Sequence, residues 1–224
     1  MYNIHMFLFG IIVLANFWFW KIAAYNLILL FVLILTSFEA YRSFNVDKIR
    51  YGAIVLYIIL LLFQLKTTEI TKLTALNNDQ ITIQQVRINE YPPVNLNFFG
   101  KTIWFPIANW FEQRPETIIL SKLTSNFSEV IDLNLYFFAN HPRERVGVDE
   151  FEKFHFLFIF LFLVGLFSSF NYQNKKWVLF FLAFPILLLS TIGNKNPVGP
   201  FSLFPFFAVV ITLGVKTILK KYYS

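Results

Sequence analysis

The stretch "HPRER", residues 141–145, holds the side chains best suited to chemistry in this chain. Arg143 and Arg145 stand two residues apart beside His141 and Pro142. Guanidinium groups form bidentate, charge-assisted hydrogen bonds with phosphate oxygens, and an imidazole can donate to the same group or move a proton near neutral pH. The chemistry this suggests is phosphate recognition. Arg143 and Arg145 would hold a lipid head group or a polyprenyl-linked carrier, with His141 as a further ligand and a weak catalytic candidate. The plainer expectation is structural, with both arginines paired to carboxylates of the same segment and orienting it on a bilayer.

The residues that follow are explained by local structure. In "VDEFEKF", Asp149 as N-cap, Glu150 at N1 and Glu152 at N3 match a capping box before a long apolar run. Acids at a helix start also complement the positive end of its macrodipole. Lys153 is expected to snorkel towards head groups, and His155 to sit at the membrane interface. An aromatic set lies upstream in "IWFPIANWFEQR", where Trp104, Phe105, Trp110 and Phe111 surround Pro106. Amphipathic rings favour head-group depth, so these four residues are expected to form an interfacial element.

The elements that position these residues belong in lipid. The chain has 224 residues, of which 57% are hydrophobic and 14% charged, and its mean hydropathy is +0.58. A soluble domain of this size carries about 25% charged residues. Apolar runs fall at 6–20, 22–38, 51–65, 154–170, 177–193 and 200–219. These predict an α-helical integral membrane protein with about six transmembrane helices. Lys21 alone separates the first two runs, so residues 6–38 also fit one long, tilted or bent span. The opening "MYNIHM" lacks the Lys or Arg of a secretory signal, so the first run is expected to be a retained anchor.

Lys and Arg set the orientation. Arg42, Lys48, Arg50, Lys175, Lys176, Lys216, Lys220 and Lys221 share one side, whereas Lys21 and Lys195 alone occupy the opposite short loops. The positive-inside rule places the richer side, and with it both termini, in the cytoplasm. Residues 1–65 then form three N-terminal spans, residues 66–153 an extracytoplasmic cap, and residues 154–224 three C-terminal spans with a basic tail. A segment as long as 66–153 is expected to fold as a small mixed α/β or mainly helical unit. Within it, Asn78 or Asp79 would open a helix that Pro92 and Pro93 stop, and "VNLNFFGKTIWF" suggests a hairpin around Gly100. Pro115 would open a second helix with Ile119, Leu123 and Phe127 on one face.

Other chemistry finds little support. The chain contains no P-loop, dinucleotide-binding, nucleophile-elbow, HExxH or EF-hand motif. It has no cysteine, so thiolate catalysis and thiolate metal sites are excluded. Its three histidines are not at metal-ligand spacing, and neither a metal nor a cofactor is expected. The net charge of +6 comes without a dense basic stripe, which argues against nucleic acid. Few ionisable residues fall within the apolar runs, which disfavours ion-coupled transport, and the glycines never fall in a GxxxG pair. The expected function is a non-catalytic, multi-pass envelope membrane protein whose cap binds a lipid head group, a lipid-linked glycan or a partner protein. Membrane lipids, a partner membrane protein or a second copy of the chain are the expected partners. The alternatives are an outer-leaflet enzyme acting on a phosphate-linked lipid carrier, and a channel or transporter component.

Overall fold

A computed structural model describes residues 2–46, 48–76, 78–106, 112–138, 151–169 and 175–222. The protein is mainly helical with one small sheet. Its elements run α1 (Tyr2–Leu14), α2 (Phe17–Tyr25), α3 (Leu27–Asn45), α4 (Tyr51–Thr67), α5 (Asn78–Glu90), β1 (Val94–Phe98), β2 (Lys101–Phe105), α6 (Pro115–Ile131), α7 (Asn134–Phe137), α8 (Phe158–Ser169), α9 (Lys175–Ala183), α10 (Pro185–Ile192), a 3-10 turn (Phe201–Leu203) and α11 (Phe204–Tyr222).

Among the described residues, two helices, Leu27–Asn45 and Phe201–Lys220, are long and apolar enough to cross a membrane. A third candidate is the pair Met6–Leu14 and Phe17–Tyr25, bent by 64° at a short break. Tyr51–Thr67, Phe158–Ser169 and Trp177–Ile192 are apolar but shorter. The helices carry apolar side chains on their outer as well as their inner faces: Phe7, Phe31, Val55, Phe160 and Phe180 are all exposed. A helix apolar all round is stable when lipid covers the face that protein does not.

The break in the first apolar run is set by asparagine, not by Lys21. Asn16 is buried, and its amide donates to the carbonyls of Ile12 (2.9 Å) and Val13 (2.7 Å), closing α1. Its carbonyl oxygen accepts from the Phe19 amide at 2.7 Å, opening α2. Asn26 then accepts from Ile28 (2.9 Å) and Leu29 (3.1 Å) and caps α3. Lys21 lies inside α2, with its ammonium 5.2 Å from the Phe151 ring centre. An asparagine side chain replaces the missing intrahelical bonds, so the chain turns twice here without leaving buried backbone groups unpaired.

The buried axis is α11. Helices α8, α3 and α1 pack directly on it. The α8 contact is a backbone approach: a Cβ on Gly165 would overlap the Val210 carbonyl, and one on Gly214 would overlap that of Leu161. Small residues let helices meet closely in lipid. Here the two glycines come from different helices, which a search for GxxxG within one helix cannot find. Around α11, Trp18, Tyr136, Phe137, Phe154, Phe162 and Phe207 form a continuous ring cluster, with centroid separations of 4.1 Å for Tyr136–Phe207 and 4.9 Å for Phe162–Phe207. Tyr136 and Phe137 belong to α7, so the end of segment 66–153 enters this core. At the opposite end of α3, Glu39 pairs with Arg42 (3.1 Å) and Arg50 (3.4 Å).

The helix at Pro115 forms as the sequence suggests, with Ile119 and Leu123 half-buried, but Asn126 and Val130 complete the packed face in place of Phe127. Asn126 and Val130 pack towards α10, and the Asn126 amide donates to the Ser190 carbonyl at 3.1 Å. Phe127 is left exposed. The expected hairpin is present as β1 and β2, antiparallel, with Val94 opposite Phe105 and Leu96 opposite Ile103. A two-residue turn joins the strands, with Phe99 at φ 49°.

Candidate functional site

His141, Arg143 and Arg145 lie outside the described residues, as do Asp149 and Glu150. The chain on either side of them is firmly seated. The Tyr136 carbonyl accepts from the amides of both Lys153 (3.1 Å) and Phe154 (2.8 Å), which clamps the two ends of the intervening stretch together. Among the aromatic candidates, Trp104 is 59% exposed on β2 and Phe105 ends that strand, while Trp110 and Phe111 lie outside the described residues.

Two expectations for the entrance to α8 are corrected. The helix begins at Phe158, so Glu152 is not at N3; its carboxylate accepts from the Phe156 amide at 2.7 Å ahead of the helix. Lys153 does not snorkel. It is only 3% exposed, and its ammonium donates to the Leu135 carbonyl at 2.7 Å, 4.9 Å from the Phe151 ring centre and 5.9 Å from that of Trp18. A buried ammonium is tolerated when carbonyl oxygens and aromatic faces replace its water.

Lys153 belongs to a polar knot at the end of the bundle where α4 and α10 stop and α11 starts. The knot is built on "GNKNPVG", residues 193–199. The Trp18 amide donates to the Lys153 carbonyl at 3.1 Å, and its indole N–H donates to the Val198 carbonyl at 2.6 Å. Asn196 donates to the Thr67 hydroxyl at 2.7 Å, and Gln64 accepts from the Ser202 amide at 3.1 Å. Gly193 and Gly199 have φ of 92° and 73°, in the left-handed region. A Cβ on Gly193 would overlap the Thr71 side chain, and one on Gly199 would stand 2.7 Å from Lys153 Cε. Irregular backbone at the end of an apolar bundle is stable here because each turn is bonded to a neighbouring element.

Beside the knot opens a cleft of about 550 Å³ between residues 69–76, α6 and Asn194–Lys195. Its floor is held by two backbone bonds, Glu69 N–H to the Lys195 carbonyl (2.9 Å) and Thr71 N–H to the Ile192 carbonyl (2.7 Å). One wall is a polar stripe on α6, with Lys122, Ser125, Asn126 and Glu129 at i, i+3, i+4 and i+7. Lys122 reaches across, donating to the carbonyls of Lys72 (2.8 Å) and Ala75. Burial lowers its pKa from the ordinary lysine value. Lys72, Lys195 and Glu69 complete the charged lining. A neighbouring cleft of about 420 Å³ shares Leu76, Gln80 and Lys122 and contains the Arg87–Glu112 ion pair, 3.2 Å apart.

The apolar positions of α6 give no hint of this cleft. The signal was available in the polar positions: "SKLTSNFSE" sets four polar residues along one helical stripe. No group of three metal-ligating side chains is found among the described residues. The described residues form a mostly helical protein in which two or three helices, gathered round a close-packed aromatic axis, are long and apolar enough to cross a bilayer, consistent with a membrane protein. Comparison with known protein families, curated proteins and solved structures finds no match to the chain.

Proposed function

We propose that the chain is a multi-pass envelope membrane protein with six spans, both termini in the cytoplasm, and residues 66–153 outside as a binding cap for a lipid head group, a lipid-linked glycan or a partner protein. The observation that carries this reading is the segregation of polar structure. The outer faces of the helices are apolar, while the polar knot and the charged cleft gather at the one end from which segment 66–153 emerges. The arginines paired with Glu39 lie at the other end, where the positive-inside rule wants them. The aromatic filling around α11 favours a support for binding over a conducting path.

The natural absence of cysteine makes the topology simple to test. Thr74→Cys and Ser121→Cys should react with an impermeant maleimide added outside intact cells, whereas Lys48→Cys and Lys220→Cys should react only after lysis. The reverse pattern would sink the orientation. Binding by "HPRER" is tested by Arg143→Ala and Arg145→Ala. Each should weaken association with vesicles containing anionic lipid, and unchanged binding in both would remove that stretch from the site.

A further inference from the structure

We propose that the cleft between residues 69–76, α6 and Asn194–Lys195 binds a small zwitterion that joins a phosphate to an ammonium group, as in a phosphoethanolamine head group. This rests on the reading of the chain as a membrane protein with an external binding segment, and it names the site and the ligand chemistry. Three observations carry it.

The first is charge. Lys72, Lys122 and Lys195 face the cleft together with Glu69 and Glu129. A purely anionic ligand would meet two carboxylates, and a purely cationic one would meet three ammonium groups. A ligand carrying both signs can direct its phosphate to the lysines and its ammonium to the glutamates. Lys122 spends two of its three N–H donors on the Lys72 and Ala75 carbonyls and keeps a third for a phosphate oxygen.

The second is depth. Glu69 and Ile70 come directly after the end of α4 at Thr67, and Asn194 and Lys195 directly after the end of α10 at Ile192. The cleft therefore stands where two apolar helices stop, the level of the phosphate layer if those helices span. Ile70, a lining residue 67% exposed, offers an apolar lip beside it.

The third is rigidity. The floor is bonded to Ile192 and Lys195, and the adjoining loop is locked by Gly193, Asn196 and Gly199 into the buried knot. A site held in place before binding loses less conformational freedom when the ligand arrives.

The test uses full-length protein in detergent, titrated calorimetrically with soluble phosphoethanolamine, dihexanoyl phosphatidylethanolamine and dihexanoyl phosphatidylglycerol. Both ethanolamine compounds should bind, and the glycerol lipid roughly tenfold more weakly. Comparable affinity for the two ethanolamine compounds identifies a free small molecule as the ligand; much tighter binding of the lipid identifies a membrane head group. Lys72→Gln with Lys195→Gln should weaken all binding by roughly tenfold or more, about one charge-assisted contact. Glu69→Gln with Glu129→Gln should weaken only the ethanolamine compounds. Lys66→Gln, an exposed lysine of α4 outside the cleft, should bind as wild type does. Absence of binding by the wild-type protein, or full binding by the Lys72/Lys195 variant, overturns the site. The maleimide pattern at Thr74→Cys is scored on the same preparation before solubilisation. External labelling without binding defeats the cleft alone, and internal labelling defeats the topology whatever the binding.

Discussion

Trp18 and Trp104 show how differently two parts of this chain use the same side chain. Trp18 is fully buried, its indole N–H bonded to Val198 and its ring set against Tyr136, Phe154 and Phe204. Trp104 is 59% exposed on a two-stranded hairpin whose extensive packing is between its own strands. Ring burial and a hydrogen bond to the knot make the first tryptophan part of what holds α2, residues 151–154 and α11 together. The second adds little to folding, because an isolated hairpin has no core to contribute to. Stability is therefore concentrated around α11.

Substitutions separate the two regions in order of effect. Trp18→Ala should cost about 3–5 kcal/mol, seen as a large fall in thermal stability of the detergent-solubilised protein. A mild effect would mean that the aromatic cluster does not bear the fold. Gly165→Leu or Gly214→Leu should cost about 1–3 kcal/mol or more through overpacking, since each added side chain meets backbone of the facing helix. Size-exclusion profiles of fluorescent fusions would register either as lost monodisperse protein. Asn26→Ala removes the cap of α3 and should cost about 1 kcal/mol. Asn26→Asp should recover most of it. At the bottom of the order, Arg87→Ala breaks an exposed ion pair and should change stability by less than about 1 kcal/mol. Trp104→Ala should be as mild in the same thermal assay; equal losses at Trp18 and Trp104 would show that the two regions bear the fold alike.

Several features were legible in advance and several were not. Pro115 at a helix start and the turn around Gly100 depend on local backbone preference, so residue type and neighbours suffice to find them. Asn16 lies within an apolar run, and its role as closer of one helix and opener of the next follows only from the bonds its side-chain amide makes in both directions. Asn26 does the same at the start of α3, whereas in the sequence the charge of Lys21 is the more visible break. The capping-box pattern at Asp149 to Glu152 matched the expected spacing, yet α8 starts at Phe158, because residues 151–154 are held by Tyr136 and Trp18 before the helix can begin.

By itself the sequence determined the class of solvent and the local grammar: lipid from its hydropathy, helices from its apolar runs, and helix ends from Asn and Pro. These depend on composition averaged over tens of residues or on bonds between near neighbours. Only the tertiary structure decided that Lys153 is buried, that Gly165 and Gly214 let α8 meet α11, and that Glu69, Lys122 and Lys195 share one cleft. Those outcomes depend on pairs of residues tens to more than a hundred positions apart in the chain. Their meeting is set by how apolar helices stack, which no short window of residues contains.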